Sequence, residues 1–290
     1  SDKLTSYTSL GYFEQEGITL RSKLQRMTFR NNMTYKSEDN KFQLSTTLSG
    51  GFSRSDIAGG IGLGTGGSGS LSNPFIVPFV GKPYLSPFNA DGTRNIIGNP
   101  NFADSTGFLN TPYVAQNVAA FDTNRETEIR IIGGLNSQYN FTDDLSASVG
   151  YGIDFTEITG LGLVPTNSLR GAQANDENAQ FQGFQSEAFN RDTRMNLDAK
   201  LNYSHTFGEK HNMSALGAVE FIYAENSGFS YAQTGLIPGL EGTGAGFVSG
   251  NTTEDPNNDG VADYFYIPGV NSFKLNVSQF SYFGKAAYDY

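Results

Sequence analysis

The chain has 290 residues, a formal net charge of −10, no Cys, no Trp, 35 Gly, 15 Tyr and 23 Phe. Without Cys there is no disulfide scaffold, thiolate metal site or Cys nucleophile, and the acidic balance has the wrong sign for a nucleic-acid partner. No run of about 18 apolar residues offers a transmembrane helix, yet a hydrophobic content of 37% is too high for a disordered acidic chain.

Taken along the chain, the predicted elements are strands. The first, around Leu4 to Phe13, is the least regular. The second sets Met27, Phe29, Met33 and Tyr35 against Arg26, Thr28, Arg30, Asn32 and Thr34. The third sets Phe42, Leu44, Thr46, Leu48 and Phe52 against Gln43, Ser45, Thr47, Ser49 and Ser53. From Glu126 to Phe141 the alternation is strict, with Ile129, Ile131, Leu135, Tyr139 and Phe141 facing away from Glu128, Arg130, Asn136, Gln138 and Asn140. Leu145 to Thr156 and Met195 to Phe207 repeat it. A helix would smear these apolar residues around its circumference, whereas a strand separates them, because successive side chains point to opposite faces. Met213, Ala215, Val219, Phe221 and Tyr223 share a face in the next element. In the last, the apolar parity changes between Val277 and Phe280, which predicts a β-bulge near Gln279. The total is about eight strands.

Connections alternate in length. Short turns fall at Ser37–Asn40, Thr142–Asp144 and Gly208–Lys210, and long loops at about 57–125, 159–190 and 227–273. Every second connection is therefore expected to be long. A soluble sandwich has no reason to sort its loops this way, but a transmembrane barrel has short turns at one rim and long loops at the other. Tyr35, Phe42, Tyr139, Phe141, Tyr203 and Phe207 fall near the short-turn rim, and Phe52, Phe155, Phe221 and Tyr223 near the other. Two such aromatic girdles mark the headgroup levels of a membrane. The fold class is all-β, an antiparallel transmembrane barrel wall, and 1–290 reads as part of one barrel domain.

Candidate functional residues are few. Glu128, Arg130, Asp154, Asp198, Lys200 and Glu220 fall on the polar face and are expected to line the lumen as mutually compensating charges. The loop Glu254–Asp263 places Asp255, Asn257 and Asp259 at alternate positions before Gly260, with Asp263 at the ninth position. That matches the opening of a calcium loop, whose oxygen ligands alternate and whose Gly permits the sharp turn. The twelfth position is Tyr266 rather than a bidentate Glu, so the match is partial. A structural Ca2+ and a solvated acidic turn both stay open. Gly60–Gly69 contains a nominal G-x-G-x-x-G at Gly62, Gly64 and Gly67, but no helical pattern follows, so it reads as a flexible loop. Asn73-Pro74-Phe75, Pro78-Phe79, Pro83-Tyr84 and Pro87-Phe88 form either a small loop core or a surface for a lid protein or a sugar face. With two His and no H-E-x-x-H, G-x-S-x-G or P-loop pattern, no enzyme activity is expected.

Several stretches carry a family resemblance. Ser9–Ile18 (SLGYFEQEGI), Leu24–Met33 (LQRMTFRNNM), Phe184–Asn196 (FQSEAFNRDTRMN), Thr206–Glu220 (TFGEKHNMSALGAVE) and Phe280–Tyr290 (FSYFGKAAYDY) resemble, in family order, barrel segments of the SusC/RagA family. The resemblance implies a TonB-dependent importer in the outer membrane of a Gram-negative bacterium. It also implies a barrel of about twenty-two strands around an N-terminal plug, beneath a SusD-like surface lipoprotein that captures glycans or peptides. Its implied partners are that lipoprotein, TonB (through regions outside this chain), the lipid and lipopolysaccharide of the outer membrane, and an oligosaccharide or peptide substrate. Eight strands fall short of such a barrel, so the chain is expected to be an N-terminal part of the barrel, with the plug outside it. The alternatives are a barrel of this family serving as a scaffold for other surface proteins, and a secreted β-rich adhesin.

Overall fold

The computed structural model describes residues 3–57, 86, 88–93, 120–168, 171, 183–208, 210–246 and 268–290. Eight strands, β1 (Leu4–Glu16), β2 (Lys23–Lys36), β3 (Phe42–Asp56), β4 (Thr123–Asn140), β5 (Leu145–Val164), β6 (Phe184–Phe207), β7 (His211–Thr234) and β8 (Gly269–Asp289), follow one another in a single sheet in sequence order. Every neighbouring pair is antiparallel.

The register turns the alternation into two faces. Ile129 lies opposite Phe52, which lies opposite Met27, while Leu135 lies opposite Tyr151, which lies opposite Leu197. The apolar rows therefore join into one continuous face. Among the described residues only Val164, Ala218 and Leu236 are buried hydrophobics, while Leu10 and Tyr282 are each 82% exposed. Among the described residues no second layer covers the sheet, and an apolar face of this extent matches a wall turned to lipid. No described helix is long and apolar enough to cross a membrane; strands would do the crossing.

The girdles have the right spacing. Phe42 and Phe52 lie on one face of β3, ten positions apart, or about 34 Å along the strand at roughly 3.4 Å per residue. A tilt of about 40° reduces that to roughly 26 Å along the membrane normal, the height of an apolar band. Ring pairs mark the short-turn rim: Tyr35 and Phe42 at 6.4 Å, Tyr139 and Phe141 at 5.0 Å, and His205 and Phe207 at 4.4 Å.

That rim is closed by local hydrogen bonding. In the β2–β3 turn, the Asp39 carboxylate accepts from Ser37 Oγ at 2.6 Å and from the Lys41 amide at 3.1 Å. Those bonds, the Ser37 hydroxyl first, hold the Asp39 carboxyl below its ordinary range. Asn40 takes φ 55°, a left-handed conformation that Asn tolerates better than most residues. In the β4–β5 turn, Thr142 Oγ1 accepts from the amides of Asp144 and Leu145 at 3.2 and 3.0 Å, and His205 on β6 reaches Asp144 at 2.8 Å.

Three expectations need correction. The β1–β2 connection at the long-loop rim spans only 17–22, so the alternation of loop lengths fails there. The strands also run on past the expected loop starts: β5 continues to Val164 and β7 to Thr234, while β6 begins at Phe184, β8 at Gly269 and β4 at Thr123. Beyond the membrane band neither face must be apolar, so the alternation fades while the backbone ladder continues. The bulge near Gln279 is absent, since Phe221↔Phe280, Ile222↔Gln279 and Tyr223↔Ser278 belong to an unbroken register. What changes along β8 is the environment. Phe280 and Tyr282 lie on the lipid face, whereas Phe273, Leu275 and Val277 lie on the opposite face above the band, where Lys274 and Asn276 point outward.

The ends of β5–β7 carry the described molecule's most buried cluster, which caps them. Leu236, Val164 and Gln185 are fully buried. Gln185 Nε2 donates to the Tyr231 hydroxyl at 2.6 Å, and the Gly242 amide donates to Gln185 Oε1 at 2.9 Å. Glu241 accepts from Thr166 Oγ1 at 2.7 Å and from the Gly239 amide at 2.8 Å. The Thr166 hydroxyl is the main cause of its lowered pKa.

Candidate functional site: the lumen wall

The face opposite the lipid row is mainly polar from β2 to β6 and mixed on β7 and β8, where it also carries Leu216, Ile222 and Phe283; the six sequence-predicted charges all lie on it. They form two groups. Arg130 on β4 grips Asp154 on β5 through two bonds, Nη2 to Oδ2 at 2.9 Å and Nε to Oδ1 at 3.3 Å, with Glu128 beside them. Lys200 pairs with Asp198 at 2.9 Å on β6, and Asp198 lies opposite Glu220 on β7. The expected mutual compensation is thus seen for four of the six. These pairs are half-exposed, where an ion pair contributes at most about 1 kcal/mol; they neutralise the wall rather than brace it.

Sequence reasoning did not single out Asp192 and Arg194, paired at 3.0 Å, or Arg26 and Arg30. The latter two stood in the polar row of β2, but nothing in that row shows which cations have partners. Among the described residues Arg26 and Arg30 have no ion-pair or hydrogen-bond partner.

Two glycines make room on this face. A Cβ at Gly150 would collide with the Asp198 carboxylate, and one at Gly152 with the Asn196 amide. The Asp198 and Asn196 side chains of β6 reach over β5 because those positions lack side chains.

On the outer face just above the band, Arg191 sits between the rings of Phe155 and Phe189, 5.9 and 5.6 Å from their centroids, and contacts Glu157 at 2.5 Å. Lys274 pairs with Glu225 at 3.0 Å at the same level. This charged belt above an apolar band is where headgroups meet water.

The proposed calcium ligands Asp255, Asn257, Asp259 and Asp263 lie outside the described residues, as do Gly60–Gly69 and the Pro-aromatic pairs apart from Phe88. No cluster of metal-binding side chains occurs among the described residues.

No family model matches the chain. Over 234 residues it is 29% identical to TonB-dependent receptor P3 of Formosa agariphila, an alignment covering 79% of this chain and 21% of that protein. The whole chain superposes on the RagAB peptide transporter with a TM-score of 0.64 at 18% identity, covering 29% of that chain. Its fold is that of a wall segment of the RagAB barrel. The RagAB peptide importer in its 'open-open' state gives a TM-score of 0.61 at 19% identity, with this chain covering 28% of it. The segment thus spans about a fifth of the curated relative it matches, and under a third of those solved chains. Eight strands in an open sheet are what such a fraction of a large barrel supplies.

Proposed function

We propose that the segment is wall and rim of an outer-membrane TonB-dependent importer in a Gram-negative bacterium. The observation that carries this reading is the single amphipathic sheet, apolar outside and ion-paired inside, which matches the RagAB barrel along its whole length. In this reading a SusD-like lipoprotein sits over the long-loop rim and hands glycans or peptides to the lumen. The RagAB structures are of a peptide transporter, which supports both the import role and a two-component assembly. The chain's role is passive: strands hold the pore open, and the upper ends of β5–β7 form the rim on which a lid would rest.

The full-length protein should fractionate with the outer membrane, require detergent for extraction, and shift mobility on gels when heated. Uptake of a peptide or oligosaccharide by cells expressing it should stop when a protonophore collapses the inner-membrane gradient. Recovery as a soluble secreted protein would sink the reading in favour of an adhesin, and a correctly inserted barrel with no energy-dependent uptake would favour a scaffold.

The alternating Asp255, Asn257, Asp259 and Asp263 support a structural Ca2+ in the β7–β8 loop. Calorimetric titration with Ca2+ should release or absorb heat, and Asp259→Ala should abolish it. A silent titration of the unmodified protein removes the ion from the proposal.

A further inference from the structure

Along the inner face of β3 every side chain from Ser45 to Ser55 is small: Ser45, Thr47, Ser49, Gly51, Ser53 and Ser55. Longer side chains rise on both sides. Arg26, Thr28 and Arg30 of β2 stand opposite Ser53, Gly51 and Ser49, and β4 places Glu128, Arg130 and Ile132 opposite the same three residues. The result is a trough of about 510 Å3 in the lumen wall, floored by hydroxyls and glycine.

Toward the middle of β6 the lumen cations are bonded to carboxylates on the same strand, as in Lys200–Asp198 and Arg194–Asp192; Lys36 and Lys285, unbonded among the described residues, lie apart from the trough, near the short-turn rim. In the trough only Arg130 is so held. Arg26 and Arg30 are exposed and unbonded among the described residues. Glu128 shares the Arg26–Ser53 row but stands two strands away, about 10 Å at the usual strand spacing. A local positive charge therefore persists inside a chain of net charge −10. Arg26 and Arg30 lie four positions apart on one strand face, about 14 Å at roughly 3.4 Å per residue, so two separate anionic groups of one extended chain would meet them. Arg26 lies near the long-loop rim at Lys23 and Arg30 midway between Lys23 and the short-turn rim at Lys36, so the pair runs inward from the side from which a solute would enter.

We infer that this trough binds chains bearing repeated carboxylates, with Arg26 and Arg30 reading the anions and Ser49 and Ser53 donating to the chain between them. Guanidinium forks match carboxylates in a bidentate manner, and hydroxyl donors on a flat floor suit an extended ligand. The inference rests on the import reading for its solute-facing lumen, and it narrows the substrate class to acidic chains. Acidic peptides and uronate saccharides present the same chemistry.

The test titrates the full-length protein in detergent with hexa-L-glutamate, with hexagalacturonate, and with maltohexaose as the uncharged probe. At least one acidic probe should bind at least about tenfold tighter than maltohexaose at low salt, with the advantage shrinking as salt screens the charges. Preference for hexaglutamate identifies a peptide source, and preference for hexagalacturonate a saccharide source. The double substitution Arg26→Gln, Arg30→Gln should weaken acidic-probe binding about tenfold, while Lys200→Gln, whose cation is already held by Asp198, leaves it unchanged. If the double variant fails to fold, Arg30→Lys, which keeps the charge but loses the fork, should weaken binding severalfold. Equal binding of acidic and neutral probes overturns the inference. So does a double variant with unaltered probe binding and a lowered Tm, which would show the arginines to be held by another segment of the protein. The import reading fails separately: uptake that persists under a protonophore sinks it without touching a binding result obtained in detergent.

Discussion

β1–β3 and β5–β7 belong to one ladder but do different jobs. The first three strands have 13 to 15 residues, little more than the roughly 9–11 that a tilted crossing requires. β5, β6 and β7 have 20, 24 and 24, so about half of each lies beyond the band. Of the short strands β2 and β3 keep the alternation and β1 only loosely, and none of the three contains a buried residue. The long ones lose the alternation above Phe155 and Tyr223, and there they bury Leu236, Val164 and Gln185 completely. Lipid stabilises the lower wall and water-excluding packing the upper one, and the same backbone ladder serves both.

The two regimes should respond differently to the same change. Leu197→Arg, in mid-band on β6, should destabilise the folded barrel by about 2–4 kcal/mol, whereas Phe189→Arg on the same strand above the band should cost about 1 kcal/mol or less; denaturant unfolding of the full-length barrel in lipid measures both, and equal costs would break the distinction. Leu236→Ala should cost about 2–3 kcal/mol by leaving a cavity, but only locally. Protease should nick residues 235–246 sooner, while heat-modifiable mobility, which reports the transmembrane ladder, stays as before. Gln185→Ala strips partners from the Tyr231 hydroxyl and the Gly242 amide and should loosen the same segment by about 1–2 kcal/mol, read by hydrogen exchange at Gly242.

The smallest effect is pH-dependent. The Glu241 carboxyl is held below its ordinary value of 4.5, chiefly by the Thr166 hydroxyl. A folded-state pKa below the unfolded one contributes stability that is complete above the unfolded value and is lost as pH falls through the folded one. Protection of residues 235–246 should therefore be constant from neutrality down to about pH 5 and decline below, and Glu241→Gln should abolish that decline. A decline beginning near neutrality would place its origin in another group.

Much of this was legible in the residues themselves. Period-2 alternation identified the strands, and Ile129 and Phe52 could be assigned to lipid because a strand has only two faces. The upper wall was not legible for the converse reason. Above the band both sides meet water or other protein segments, so Thr159 and Ser227 carry no parity, and Gln185 and Gln233 look like ordinary loop residues. The parity change near Gln279 was visible, but its cause was misassigned: along one unbroken strand the apolar side turned from lipid to lumen.

The sequence by itself determined that this is an antiparallel sheet with one apolar face, that its short turns share a rim, and which side chains can meet lipid. Those properties follow from the strand's own two-residue repeat. Only the tertiary structure decided that Arg130 and Lys200 are spent on neighbouring carboxylates while Arg26 and Arg30 are not, that β3 forms the floor of a trough, and that Gln185 is fully buried. Each of these depends on cross-strand register and on residues distant in the chain, which no local pattern encodes.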